Sequence, residues 1–265
     1  MGTAVTYLRV LRDQRSLVRQ LFRREFSAGY RRSYLGLAWV VATPLLSALT
    51  WLLLHDSGVV VSSDFEVSYA AYLLTGTLFF GLIRGVAMAV RQSVMGANQI
   101  LLSVNFPREV LLIKQSLVAL AQFAASAVVS LCIVALIEAP PTPESLVALP
   151  LLIIPTAAAV AVGVVLAVLV VLVADLERVL DLIWGFLYVA SGVIYRTGGA
   201  DGVLGTISDW NPLTYLVAMP RDAYLGLDTP SLAVATGCAL ASAGALALAL
   251  RLFAVAHPHL IERLV

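Results

Sequence analysis

Six times between Leu35 and Val255 the sequence runs for close to twenty residues with hardly a charge. The runs are Leu35–Leu54, Tyr69–Val90, Val110–Ile137, Leu146–Ala174, Val179–Tyr195 and Ser231–Val255. A helix needs about 20 apolar residues to cross the hydrocarbon core. Hydrocarbon offers no water to an unpaired backbone group, so segments of this kind have to be helical. Val179–Tyr195 is the shortest of the set. The chain of 265 residues is 60% hydrophobic and 12% charged, where a soluble domain carries about 25% charged residues. The expected fold is an all-α integral membrane protein with six transmembrane helices.

The charges between the runs set its orientation. The first 34 residues carry Arg9, Arg12, Arg15, Arg19, Arg23, Arg24, Arg31 and Arg32. The next loop has Asp56, Asp64 and Glu66 and no basic residue, and the one after it has Arg91 and Arg108. Glu138 and Glu144 follow the third run, Arg178 the fourth, and Arg251 and Arg263 close the chain. The positive-inside rule then predicts both termini in the cytoplasm, with Arg196 and Arg221 as exceptions outside. A secretory leader would need an apolar core early in the chain; the arginine-rich start lacks one. A basic group at the bilayer centre costs about 2.5–3.5 kcal/mol on insertion scales. Arg84 and Lys114 are therefore expected toward the cytoplasmic ends of their spans.

Several chemistries are excluded. Lys114, the only lysine, sits in LLIKQS without the glycines of a nucleotide-binding P-loop. Cys132 and Cys238 lie in apolar runs and read as packing residues. His55, His257 and His259 lack zinc spacing and read as solvated loop residues. A proton-coupled carrier would bury carboxylates in its spans, yet only Asp181 lies within a run, near its end. A lipid-modifying enzyme would need clustered acids, histidines or metal ligands. The nearest such group is Asp175, Glu177, Arg178 and Asp181, which reads as a helix cap with ion pairs.

The segment before the first run is amphipathic. On a helical wheel Tyr7, Leu11, Val18, Leu21, Phe22 and Phe26 share one face, and Arg9, Arg12, Ser16, Arg19, Gln20, Arg23 and Ser27 the other. Such a helix lies in the headgroup plane. It is either a basic anchor on anionic lipid or a movable element guarding the way in for a substrate. Arg31 and Arg32, at its junction with the first span, either mark the cytoplasmic side or grip a phosphate in bidentate fashion.

Three other segments stand out. Asn98–Val110 (NQILLSVNFPREV) carries helix-start signals at Asn105, Pro107 and Glu109, and is too apolar for a bare cytoplasmic loop. It either folds back on the membrane helices or plugs into another protein. Arg196–Pro230 is long and apolar, with a turn signal at Asp209–Pro212 and a stretch Leu213–Leu225 broken at Pro220. It is expected to form short re-entrant helices between spans five and six, a surface flap being the alternative. Pro150 and Pro155 should bend the fourth span. Gly237, Ala241 and Ala245 in the sixth read as an intrachain packing stripe, or else as a subunit contact.

Arg31-Arg32-Ser33-Tyr34-Leu35-Gly36 with Trp39 and Pro44, then Phe106-Pro107-Arg108-Glu109-Val110-Leu111, then Asn211-Pro212-Leu213-Thr214-Tyr215, resemble in this order the membrane subunit of ABC-2-type ATP-binding-cassette exporters. The branch most resembled exports lipid-linked polysaccharides such as O-antigen, capsule or teichoic acid. The resemblance covers nearly the whole chain, which departs from the family in its short fifth span and the glycine-rich loop after it. It implies a homodimer in the bacterial inner membrane, paired with two copies of a separate ATPase that holds ATP and magnesium. It implies no cofactor or catalytic site in this chain and no nucleic-acid partner. Residues 1–34 become a gate-like interfacial helix and residues 35–265 a single six-span domain. Asn98, Gln99, Asn105, Phe106, Pro107, Arg108 and Glu109 become the ATPase-coupling element, and Asn211, Pro212 and Tyr215 part of the external gate. Arg31, Arg32, Tyr34 and Arg84 are the candidates to receive a lipid pyrophosphate. Trp39, Phe79, Phe80, Trp184, Tyr188 and Tyr195 are candidates to line a sugar route, or else pack or face lipid. An ABC-2 exporter of a drug or simple lipid is the alternative.

Overall fold

The computed structural model describes residues 13–31, 38–58, 66–95, 108–138, 143–173, 175–195 and 203–264. Among these the regular structure is helical: α1 (Arg15–Arg31), α2 (Ala38–Asp56), α3 (Tyr69–Met95), α4 (Arg108–Ile137), a 3-10 turn (Pro143–Val147), α5 (Ala148–Leu151), α6 (Ile153–Leu172), α7 (Leu176–Ala190), α8 (Val203–Trp210), α9 (Pro212–Leu225) and α10 (Leu232–Leu264).

Helix α3 is the axis of the bundle. Leu73, Leu82, Ile83, Val86 and Val90 on it are fully buried. It packs against α4 and α6 along its length, and against α2 and α9. Helix α10 lies on α6, and α1 on α4. The α3–α6 contact is close because of one glycine. A Cβ on Gly163 would lie 2.6 Å from the Ala87 carbonyl oxygen and 2.8 Å from Val90 Cβ. Small residues at a crossing let helix backbones approach where the hydrophobic effect gives little help between helices.

Four helical stretches among the described residues are long and apolar enough to cross a membrane: Tyr69–Ser93, Glu109–Ile137, Ser145–Leu172 and Leu232–Ala256. Their outer faces carry Leu117, Val128 and Leu136 on α4 and Leu232, Leu240, Leu248 and Val255 on α10, all exposed. A water-soluble surface rarely shows apolar patches of that extent. Helix α2 has 19 residues. Its Thr43 and Thr50 hydroxyls donate back to the Trp39 and Leu46 carbonyls, which satisfies them within the helix. Helix α7 has 15 residues, about 22 Å at the usual helical rise, against a hydrocarbon core of about 30 Å.

Several expectations change. Pro220 lies inside α9 without ending it; the helix runs on to Gly226, whose φ of 71° terminates it. Gly237, Ala241 and Ala245 are exposed, so the intrachain packing expected of them is not found. Cys132 is exposed rather than packed. His55 is not in a loop: it lies in the last turn of α2 and stacks on Tyr69 with ring centroids 4.1 Å apart. The fourth run is divided at Leu152, between Pro150 and Pro155, into α5 and α6, although Leu152 itself keeps helical angles (φ −62°, ψ −19°).

Candidate functional site

Polar side chains gather at the two ends of α3. At its Tyr69 end the organising element is the turn after α7. Gly192, with φ of 63°, leads the chain out of the helix, and the carbonyls of residues 190–195 would be left without helical partners. Four side chains supply them. Tyr69 donates to the Ile194 carbonyl at 3.1 Å and Tyr72 to the Tyr195 carbonyl at 3.0 Å. The Asn211 amide donates to the Ala190 carbonyl and the Ser191 hydroxyl, both at 3.1 Å. Arg221 Nη1 donates to the Gly192 carbonyl at 2.8 Å.

Arg221 is the most unusual member. It is 1% exposed, and a buried cation is costly unless paired. Its Nε donates to Asp222 Oδ1 at 2.7 Å, and its guanidinium lies 3.9 Å from the centre of the Tyr72 ring. Asn211 acts twice. Its Oδ1 accepts from the Leu213 N–H at 3.0 Å, capping α9 just before Pro212. Beside this cluster the Glu138 carboxylate accepts from the Ser68 N–H at 2.7 Å. Hydrogen bonds from the Ser68 hydroxyl and backbone stabilise the charged form and hold its pKa below the ordinary carboxylate range.

Toward the other end, α3 is joined to α7 by two ion pairs. Arg84 Nη2 meets Asp181 Oδ1 at 3.0 Å and Arg91 Nη1 meets Glu177 Oε1 at 2.9 Å. Arg91 is buried while Glu177 is half exposed; Arg84 and Asp181 have 48% and 72% of their side chains exposed. Arg178 pairs with Asp175 at 3.6 Å within α7. The acids expected as a helix cap thus do form ion pairs, but two of them reach across to another helix. Arg84 is not near a helix end either. It stands 15 residues after Tyr69 and 11 before Met95.

The amphipathic helix α1 is seated by the same chemistry. Val18 is buried, Leu21, Phe22 and Phe26 are partly so, and Arg15, Arg19, Arg23 and Arg24 stay exposed. Phe22 and Phe26 stack at 5.7 Å, one turn apart. The Lys114 ammonium donates to the Glu25 carboxylate, tying α1 to α4 near its start.

The sequence-derived candidates fall into separate places. Asn98, Gln99, Asn105, Phe106 and Pro107, like Arg32 and Tyr34, lie outside the described residues. Arg108 and Glu109 open α4 and Arg31 closes α1. Asn211 and Pro212 open α9, and the Tyr215 hydroxyl donates to the Asp209 carbonyl at 2.9 Å. Phe79, Phe80 and Trp184 are buried inside the single chain. Phe80 meets Trp184 and Tyr188 edge-on, at 5.9 and 5.2 Å. Tyr188 shares a 2.7 Å hydrogen bond with Thr77. Trp39 is exposed and Tyr195 half-buried. Tyr69, Tyr72 and Arg221 escaped the sequence reading. The only signal for Arg221 was its place as a cation on the side predicted to be poor in them. Among the described residues no group of His, Cys, Asp or Glu could hold a metal ion.

No curated protein gives a significant match to the chain. The family profile of ABC-2 type transporters does, over residues 16–225, which takes in α1 through α9. With several apolar helices able to cross a bilayer around one buried axis, and that profile spanning most of its length, the chain belongs to the ABC-2 type transporter family and is a membrane-embedded permease component of a transport system.

Proposed function

We propose that this chain is the channel-forming subunit of an ATP-driven exporter that moves lipid-linked polysaccharide of O-antigen, capsule or teichoic-acid type across the bacterial inner membrane. Two copies enclose the route, and each pairs with a separate ATPase chain carrying ATP and magnesium. In this reading α2 and α7 complete six spans and both termini are cytoplasmic. Helices α8 and α9 dip in from the outer face as part of the external gate.

The observation that carries the reading is the docking of the amphipathic helix α1 onto α4, the helix that Arg108 and Glu109 open. Movement imposed there by an ATPase reaches the interfacial helix directly. That helix ends at Arg31, where the basic cluster with Arg32 would take a lipid pyrophosphate. The polysaccharide branch rests on the ordered motifs at Arg31–Gly36, Phe106–Leu111 and Asn211–Tyr215. ATP shifts the conformational balance only through its different affinity for the two states.

The test is co-purification with the ATPase encoded beside this chain, followed by ATPase assays with pyrophosphate-linked glycolipids. Stimulation by the glycolipid, lost in an Arg31→Gln/Arg32→Gln variant that still inserts, is the expected result. Stimulation by hydrophobic drugs or simple lipids alone would move the chain to the alternative substrate class.

A further inference from the structure

We propose that the strip formed by Gly81, Arg84, Gly85 and Gln92 on α3 with Glu177, Asp181 and Gly185 on α7 is the wall of the hydrated conduit. This rests on the two-copy exporter reading above and names the surface it leaves open.

The two helices show different kinds of exposed surface. Gly81, Arg84, Gly85 and Gln92 are the exposed residues along one stripe of α3, at helical spacing. On α7, Glu177, Asp181 and Gly185 follow one another at four-residue intervals and are exposed. Val179, Leu182, Ile183 and Phe186, also exposed, occupy a separate sector of the same helix. Among the described residues nothing lies within 4 Å of where a Cβ would sit on Gly81, Gly85 or Gly185. The strip is thus polar and glycine-lined, while the outward faces of α4 and α10 are leucine and valine.

Depth makes this informative. Arg84 is about 22 Å along the axis from Tyr69 and about 16 Å from Met95. Wherever a hydrocarbon slab of about 30 Å is set on this helix, Arg84 falls at least about 8 Å inside it. Ionisable groups at such depth face the protein interior or a water-filled cavity, not lipid. Yet the Arg84–Asp181 pair is half exposed in the single chain. The apolar sector of α7 is the surface suited to lipid; the ion-paired one is suited to water. Arg84, the one cation on the strip, is matched by Asp181, and Glu177 is matched by the buried Arg91 behind it, so the wall carries no unpaired charge and offers backbone and ion pairs to the cargo rather than ring faces. The buried positions of Phe79, Phe80 and Trp184 agree with that.

The test uses the chain with Cys132 and Cys238 replaced by Ala, reconstituted with its ATPase in lipid nanodiscs. Single cysteines are placed by Gly85→Cys, Gly185→Cys and, as a lipid-facing reference, Leu248→Cys. The probe is a charged, membrane-impermeant thiosulfonate, which reacts with the hydrated thiolate. The first two positions are expected to react at least roughly tenfold faster than the third. Rates equal to that of Leu248→Cys would place the strip against lipid and overturn the proposal. So would oxidant-induced disulfides between copies at Gly85→Cys without thiosulfonate modification, which would make it a dry subunit contact. Gln92→Cys, at an exposed residue of the same stripe, gives the same readout if a glycine replacement impairs assembly. An ATPase that fails to co-purify would count against the exporter reading. The labelling rates, read on the full chain alone, would still decide the wall.

Discussion

The two ends of α3 are held by different kinds of bond. Around the turn at residues 190–195, Tyr69, Tyr72, Asn211 and Arg221 all donate to main-chain carbonyls or to Ser191, and the central cation is buried. Toward Met95 the links from α3 are side chain to side chain, one per pair, and the carboxylates of Glu177 and Asp181 are each substantially exposed. A bond to a carbonyl in a dry site has no alternative partner, and losing it leaves a buried polar group unmet. An ion pair exposed on both sides, as Arg84–Asp181 is, can exchange with water or another ion at little cost. The first end is built to keep one geometry and the second to change partners. In the proposed topology the fixed end is external and the exchangeable end faces the ATPase.

The largest effect expected is at Arg221. Arg221→Met removes the guanidinium from beside Asp222, from the Gly192 carbonyl and from the Tyr72 ring; breaking a buried pair on one side costs about 3–5 kcal/mol. Thermal unfolding in detergent should show a large fall in Tm, and an unchanged Tm would break the contrast between the ends. Asn211→Ala comes next, losing the α9 cap and both ties to the end of α7. A lost cap costs about 0.5–2 kcal/mol, and Asn211→Asp, which keeps the cap but not the amide donor, should recover part of it. At the other end, Asp181→Asn should change stability by less than about 1 kcal/mol, since Arg84 and Asp181 are both substantially exposed. It should nonetheless alter ATP-driven transport; a fall in Tm like that of the Arg221 variant would erase the distinction.

The smallest effect is the pH response of Glu138. Its folded-state pKa lies below the ordinary carboxylate range, so its contribution to stability is complete above that range. It disappears as the pH falls through the lowered folded-state value. Between neutral pH and the acid limit, Glu138→Gln should flatten the Tm profile relative to the unchanged chain, and parallel profiles would remove this residue from the cluster at the Tyr69 end of α3.

Much of this was legible in the residues. Arginines opposite Val18 and Phe22 mark an amphipathic helix, and α1 buries the face they predict. Asn211-Pro212 is a helix start by local chemistry, and a helix begins there. The acids of α7 announce ion pairs. What stayed hidden was the side to which each apolar helix turns. A run such as Ile153–Leu172 is apolar all round and has no strong period to reveal its buried face. Arg221 could not be assigned to the interior because the ring it lies on belongs to Tyr72, far away in the chain. Gly237, Ala241 and Ala245 illustrate the converse, since spacing that permits close packing does not oblige a neighbour to be there. Val179–Tyr195 was expected as one span, but its helix starts earlier and stops at Ala190. The five residues after it serve instead as the turn on which the polar cluster is built.

The missing side chain at Gly163 also limits how the molecule can move. With the Ala87 carbonyl so near, α3 and α6 cannot ratchet past each other by a turn without first lifting apart, because every other residue on that face of α6 brings a Cβ. Any alternation during a transport cycle therefore carries the two as a single lever, with the bending taken up at its joints. Spin labels on Gln92 and Leu169 should hold their separation through ATP binding and hydrolysis, and a change of a full helical turn would show that the lever comes apart.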